Sequence, residues 1–378
     1  MWTLTEEQRI GRDAFARMLS STVVPDIQAA NHPEQLPEAD LRRQLLACAP
    51  YGLGRFRIPA EFGGLGLDLV TTGVMHETAS RLVPELSTPA LINDGVGLLL
   101  SRSASKWIKR DYLAPLAAGE RIAASANTEA TGGSDVSAVA TRACRSGAGY
   151  RISGRKVWIT NGQYADFAVV LARTEETGLL DLFLVDRETH GFDVSPLALA
   201  GRVTAAELNF DDVEVPYESR LTDRDGLSTM LAAFQATRAL VALSAVGVGQ
   251  AAFDLGLAYA KDRQQFGRPI AATQLIQAQL ADSVIDLDAA RLLAYRALAT
   301  ADRGEPVELE ASMAKLFASE AAQRVVYRAQ QIHGAAGLNA DMPIEHLSRL
   351  VRVYPIVEGA SEIQRLIIGR KLTGMNAF

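Results

Sequence analysis

The chain has 378 residues, 48% of them hydrophobic and 22% charged, which predicts a soluble globular protein of two or three domains with a sizeable core. At a net charge of −6, no strongly basic balance argues for nucleic-acid binding. Two cysteines outside any CxxC pair, Cys48 and Cys144, imply neither a disulfide framework nor a zinc site, and five histidines without ligand spacing argue against a metal enzyme.

In chain order, MWTLTEEQRIGRD turns polar at once and lacks a signal-peptide core, and the later apolar runs read as too interrupted by charge to span a bilayer, so the cytoplasm is the expected setting. Thr5 and Gln8 predict a capping box, followed by apolar residues at helical spacing: Ile10, Phe15, Met18 and Leu19. The helical pattern continues to about Gly119, broken by FGGLGLD (Phe62 to Asp68), a turn ahead of another helix. From about Arg121 to Asp223, YRISGRKVWITNG, FAVVLAR, LDLFLVD and AELNFDDVEVP are rich in β-branched and aromatic residues bounded by Gly, Asp or Pro. They predict an antiparallel sheet or small barrel rather than βαβ units. From Leu227 a proline-free, Ala- and Leu-rich helix opens, then Gln274 to Arg303, Val307 to His333 and Ile363 to Leu372, which together predict an antiparallel four-helix bundle. The expected fold is therefore multidomain α+β: helical over 1–120, β over 121–225, and a helical bundle over 226–378.

Five stretches are candidate sites. In ASANTEATGGSDVSAVATRA (Ala124 to Ala143), small residues and hydroxyls from Thr128 to Asp135 let a backbone approach a ligand, although a surface loop would look the same. In KVWITNG, Trp158 can cover a planar ring and Thr160 can bond a ring nitrogen; a core Trp followed by an Asn-Gly hairpin is the plainer alternative. KDRQQFGRPIAATQ reads as the C-terminus of a helix stopped at Gly267 and Pro269. Its Arg263, Arg268 and Phe266 suit a phosphate and a base, or merely complement a helix dipole. QIHGAAGLNADMPIEH offers a small-residue turn, with His333 read as structural. In YPIVEGASEIQRLIIGRKL, Ser361 and Gln364 predict a second capping box, and Glu358 lies just ahead of that helix. A helix dipole would favour a Glu there by roughly 0.3–1 kcal/mol. Its flanking Ile356 and Val357 predict instead a desolvated carboxylate with the raised pKa of a base.

These five stretches, in this order and with LTEEQ and GLGRFRIPAEFGGLGLD ahead of them, resemble the acyl-CoA dehydrogenase family over nearly the whole chain. The resemblance implies FAD held between the β domain and the bundle, a homo-oligomer of two or four subunits, and a subunit that contributes to its neighbour's cofactor site. It implies flavin contacts from Ser125, Asn127, Thr128, Gly133 and Ser134, from Trp158, Ile159 and Thr160, and from Ala360 and Glu362. Arg263, Phe266, Gln274, Gln331, Gly334 and Ala335 would serve the ADP half across a subunit interface. Ser134, Gln235, Arg238 and Gly359 would meet the substrate. Glu358 matches the catalytic base, which takes the α-proton of an acyl thioester while the β-hydride passes to flavin. The position used by one branch of the family for its base is Thr237 here, so no carboxylate on the long helix competes.

Several positions depart from the family pattern. TEATGGSD lacks a Pro after Glu129, Ala360 stands where a Thr is usual, Leu350 where an Asp is usual, Gln235 where a substrate-side Asp often occurs, and PLALAGRVTAAELNF is short. The implied partners are an acyl-CoA or an acyl carrier protein thioester and an electron-transfer flavoprotein or similar acceptor. The competing classes are a flavin oxidase or monooxygenase on the same fold, which would lack the Glu motif or change it to Asp, and a flavin-free binding protein, which would have no need of Trp158, Thr160, Arg263 and Phe266 together.

Overall fold

The computed structural model describes residues 3–30, 35–103, 105–147 and 149–376; Met1 and Trp2, which open the polar N-terminal stretch, lie outside them. The predicted capping box starts helix α1 (Glu6–Met18): Thr5 Oγ1 accepts from the Gln8 N–H, and the Gln8 side chain accepts from the Thr5 N–H. A π-turn leads from α1 into α2 (Val24–Ala30), and α3 (Glu38–Cys48) follows. FGGLGLD is a turn, as expected. Gly64 packs so closely under Ile58 that a Cβ would lie 1.9 Å from its carbonyl oxygen. Asp68 then caps α4 (Leu69–Leu82) by accepting the Thr71 N–H at 2.6 Å. The N-terminal part is completed by α5 (Pro84–Ser101) and the short α6 (Lys106–Ile108) and α7 (Ala114–Ala117).

Seven strands among the described residues form one sheet: β1 (Ala123–Ala126), β2 (Arg142–Ser146), β3 (Gly149–Thr160), β4 (Phe167–Thr174), β5 (Leu180–Asp186), β6 (Asp193–Pro196) and β7 (Ala205–Pro216). The pairs β2–β3, β3–β7, β4–β5 and β6–β7 are antiparallel, as expected. The sheet is nonetheless mixed. β1 and β2 share one edge of β4 and both run parallel to it, Ala123 opposite Phe167 and Arg142 opposite Arg173. Strands β1, β2 and β6 are short and carry no strong local alternation, so only their long-range pairing reveals them. Alternate residues of β4 and β5 serve two cores. Ala168, Val170, Phe183 and Val185 face the sheet's own interior, while Phe167, Val169, Leu182 and Leu184 pack against Ile108, Tyr112 and Leu116 of the N-terminal helices.

The C-terminal part comprises α8 (Gly226–Asp262), α9 (Gln274–Asp302), α10 (Glu308–His333), α11 (Pro343–Leu350) and α12 (Ser361–Thr373). Glycine and alanine let these helices approach closely: at Gly73 of α4 a Cβ would come within 2.5 Å of Leu298 and 2.6 Å of Leu243. The N-terminal helices are thus seated on the bundle. By length and composition α8 could cross a membrane, with mean hydropathy 1.6 over its most apolar stretch, so the expectation that charge interrupts every apolar run does not hold there. That stretch is 67% buried within the protein, which accounts for its composition.

Two local expectations are corrected. α8 ends at Asp262, not Gly267, and Gln264–Gln265 pairs with Arg268–Pro269 as a small hairpin. Phe266 and Gly267 at its tip both have positive φ, 53° and 75°, which matches a type I′ turn and cannot continue a helix. The capping box at Ser361 does not form. Ala360 is the N-cap and its methyl side chain offers no acceptor, while the Gln364 amide donates to the carbonyls of Glu358 (3.3 Å) and Gly359 (2.9 Å).

Candidate active site

A cavity of about 540 Å³ opens where the three parts of the chain meet. One wall is α5, through Leu91, Gly95 and Leu99; a second is the first half of α8, through Met230, Phe234, Thr237 and Arg238. The sheet contributes the segment after β1 and the end of β3, and the loop 356–360 closes the far side. Among the residues expected from sequence, Ser125, Asn127, Thr128, Gly133, Ser134, Trp158, Ile159, Thr160, Arg238, Glu358, Gly359 and Ala360 line this one space. Glu362 is exposed and Gln235 half-buried, and neither lines it. Leu350 is buried against Gly201, where a Cβ would lie 2.6 Å from the Leu350 Cα, so an apolar residue replaces the usual Asp at a tight contact.

Trp158 is not a core residue, and Asn161-Gly162 does not make a hairpin. The β3–β7 ladder is irregular between Lys156 and Ile159, Trp158 takes a φ of 62°, and its side chain is 57% exposed on the cavity wall. Bulges of this kind re-aim side chains beside functional sites. Asn161 is fully buried, and its amide donates to the carbonyls of Pro89 (3.1 Å) and Ala123 (3.0 Å), which fixes the end of β3 against α5 and β1. Beneath the Thr128 loop lies a pair that local patterning does not announce. Glu129 accepts from the Ala140 N–H, the Thr141 N–H and hydroxyl, and the Lys156 ammonium, which also donates to the Asn127 carbonyl. Against desolvation, Lys156 and Thr141 hold the Glu129 carboxyl down at about 2, and burial draws Lys156 down to about 8.

Glu358 and Gly359 both have positive φ, 55° and 94°. Left-handed backbone at a non-glycine residue costs roughly 1–3 kcal/mol and persists only where the surroundings impose it. Here the surroundings are donors: Arg238 Nε lies 3.3 Å from the Glu358 carbonyl, and Lys315 Nζ lies 2.7 Å from the Gly359 carbonyl, alongside Gln364. The turned backbone directs the carboxylate toward the cavity, where Oε2 is enclosed without a hydrogen-bond partner among the described residues. Desolvation raises the carboxyl to about 7, against the pull of Arg238, Lys315 and Arg57. Arg57 is itself buried in a pair with Asp94 of α5, and its Nη2 is unpartnered.

The cavity wall fits a planar, hydrogen-bonding ring: the Trp158 indole is exposed, Thr160 stands beside it, and Asn127 Oδ1 is buried without a donor. The other expected cofactor residues lie elsewhere. Arg263 follows α8, Gln274 opens α9, and Gln331, Gly334 and Ala335 are at the end of α10, all exposed at one end of the bundle with Phe266 98% exposed. His333 is buried there, stacked on Tyr259 at 4.4 Å with Nδ1 2.7 Å from the Ala329 carbonyl, a structural placement. Sequence reading missed Lys156, Arg57, Lys315 and Gln364. For Lys315 a signal existed: it shares a helical face with Ala311, Ala318 and Ala322, a lone cation among small apolar residues.

Comparison with known proteins identifies the three parts of the chain. The N-terminal, middle and C-terminal domain models of acyl-CoA dehydrogenase match residues 5–120, 124–213 and 224–373. The chain is 33% identical to the probable acyl-CoA dehydrogenase FadE25 of Mycobacterium tuberculosis, covering 98% of this chain and 97% of that protein. It is 32% identical to the mitochondrial short-chain specific acyl-CoA dehydrogenase of Bos taurus, covering 98% and 90%. The structure of a glutaryl-CoA dehydrogenase from Mycobacterium smegmatis in complex with FADH2 superposes with a TM-score of 0.92 at 25% identity, covering 99% and 96%. With its whole length matched and its cavity built from all three parts, the chain belongs to the acyl-CoA dehydrogenase family, flavin oxidoreductases that act on CH–CH groups.

Proposed function

We propose that this protein dehydrogenates an acyl thioester across its Cα–Cβ bond, with Glu358 as the base that removes the α-proton. The observation that carries the reading is the Glu358 carboxylate itself: it faces the cavity, Oε2 has no partner, and burial lifts it to about 7. A base for carbon acids needs that condition, deprotonated near neutrality yet not stabilised by hydrogen bonds it would have to give up. FAD, bound along Trp158 and Thr160, supplies the acceptor for the β-hydrogen as a hydride. Thr128 and Ser134 line the cavity's loop side, where they bond flavin and the thioester's pantetheine arm. Leu91, Gly95, Met230 and Phe234 give the acyl chain a dry channel that keeps water from the acidified α-carbon.

The exposed set Arg263, Phe266, Gln274, Gln331, Gly334 and Ala335 holds the ADP half of a neighbouring subunit's FAD, so the protein acts as a homo-oligomer. An electron-transfer flavoprotein reoxidises it. The domain division at 120/121 and 225/226, a cytoplasmic setting and either CoA or a carrier protein as the thioester's tether belong to the same reading. Anaerobic titration of the purified protein with a panel of acyl-CoA and acyl carrier protein thioesters, read by flavin bleaching, tests it. A matched thioester bleaches wild type and leaves Glu358→Gln yellow. Failure of every thioester to bleach a flavin-loaded wild type would overturn the reading.

A further inference from the structure

Lys315 lies on α10, forty-three positions before Glu358, and is fully buried between Ala311 and Ala318 on a face of small residues. Its ammonium has three protons to place. Among the described residues it makes one hydrogen bond, 2.7 Å to the Gly359 carbonyl. A cation taken wholly out of water for a single neutral acceptor is costly, and a fold tolerates it where facing negative charge offsets the desolvation. The facing charges are few. Glu358 is the strongest, Arg238 opposes it, and Glu362 and Glu320 act more weakly. From the other side, Glu358 faces Arg238 on α8, Lys315 on α10 and Arg57 in the segment ahead of α4. Lys315 thus touches the base's neighbour in the chain, not the base's carboxylate.

We propose that Lys315 is a positioning residue for the base: its ammonium holds the Gly359 carbonyl and so fixes the left-handed Glu358–Gly359 pair that aims the carboxylate into the cavity. The proposal rests on Glu358 being the base. Gln364 reaches the same carbonyl at 2.9 Å and Arg238 the preceding one at 3.3 Å, so three donors converge on two successive peptide oxygens. A neutral amide or a water could serve those oxygens equally well if holding the loop were the whole task. The charge does a second thing: it opposes the desolvation that raises the Glu358 carboxyl. Lys315 therefore sets both where the carboxylate points and the pH at which it becomes free to accept a proton.

The test is anaerobic stopped-flow flavin reduction by the best thioester of the panel, followed against pH for the FAD-loaded wild type, Lys315→Met, Lys315→Arg and Glu358→Gln. Lys315→Met should keep FAD and lose about tenfold or more in the saturating rate, the scale of one lost charged hydrogen bond. Its pH midpoint should move up by about one unit, because desolvation then acts less opposed. Lys315→Arg, which keeps the charge, should return the midpoint to the wild-type value. A Lys315→Met enzyme with wild-type rate and midpoint overturns the proposal. So does one that loses rate or FAD with the midpoint unmoved, since a merely structural plug behaves that way. If Lys315→Met does not fold, a folded Lys315→Arg decides: a wild-type midpoint supports the proposal and an upward one overturns it. Glu358→Gln separates the two levels. If it reduces flavin at the wild-type rate, the base assignment fails; if it is inert while Lys315→Met is normal, the Lys315 proposal alone fails.

Discussion

Two carboxylates line the same cavity and are treated in opposite ways. Glu129 receives four donors, including a fully buried lysine, and is held down at about 2. Glu358 has an oxygen with no donor among the described residues, the cations around it make no hydrogen bond to it there, and it rises to about 7. The nearby donors Arg238, Lys315 and Gln364 make their hydrogen bonds to peptide carbonyls of the loop that carries Glu358. A carboxylate that must hold a fold is surrounded by hydrogen bonds. One that must accept a proton is aimed by hydrogen bonds made to its backbone and left bare at its tip.

The comparison breaks first at Glu358. Glu358→Gln should keep FAD and slow flavin reduction by ~10²–10⁴-fold, the usual contribution of a positioned base, while Glu358→Asp keeps part of the rate with a carboxylate that falls short. A wild-type rate in the Gln variant would remove the chemical half of the contrast. At Glu129 the effect should appear as stability. Glu129→Gln leaves the Lys156 ammonium buried and uncompensated, a loss of about 3–5 kcal/mol measured by denaturant unfolding, with weaker FAD retention because the Thr128 loop is released. Less than about 1 kcal/mol would mean that the pair is not what holds the loop.

The same contrast fixes two pH dependences of opposite sign. Glu129 is depressed in the fold, so its stabilisation is present above its ordinary value of 4.5 and is lost as pH falls through about 2. Glu358 is raised, so its share of stability is greatest below 4.5 and is lost as pH rises through about 7. Activity runs the other way: flavin reduction should increase with pH through about 7 as the base loses its proton. A reduction rate that is flat from pH 5 to 9 at saturating thioester would show that the carboxyl titrates far from that range or that another step limits the rate.

Much of this was legible locally. Thr5 with Gln8, the FGGLGLD turn and the long Ala-rich helices are short-range signals, and the structure contains them where their residues predicted, save that α8 stops at Asp262 ahead of the hairpin. Around Thr128 and Trp158 the residues alone fit a plain loop and a core Trp equally well, and it was the resemblance to the family that made them candidates, whereas the apolar flanks of Glu358 pointed by themselves to a desolvated carboxylate. What was not legible depends on distant partners. The parallel pairing of β1 and β2 to β4 joins residues tens of positions apart. The hairpin tip at Phe266–Gly267 needs two left-handed residues, and a Phe does not advertise that conformation. Gln364 has the spacing of a capping residue, yet two backbone carbonyls from the strained loop outcompete the role. Lys156 looks like a surface residue until the fold closes over it, and the alanine face around Lys315 announces burial but not that its ammonium meets the Gly359 carbonyl.

The smallest expected effect sharpens the contrast from the side of the base loop. Ala360 is the N-cap of α12, with φ −54° and ψ 157°, a backbone suited to a capping side chain that alanine lacks. A threonine there can accept a hydrogen bond from one of the first free N–H groups of the helix, a gain of about 1 kcal/mol. Its hydroxyl would act on helix donors and on the cavity rim, and it brings no charge toward Glu358. Ala360→Thr should therefore raise stability by about 1 kcal/mol in denaturant unfolding, with the pH midpoint of flavin reduction unmoved. This separates rigidity from electrostatics in the loop. Glu358 is held by three donors that also carry two positive charges, so every substitution among them changes both properties together. A cap at Ala360 changes only the first. If the midpoint instead shifts by a full pH unit, loop geometry rather than nearby charge governs when the base is free, and the difference between the two carboxylates would have to be recast as one of backbone placement.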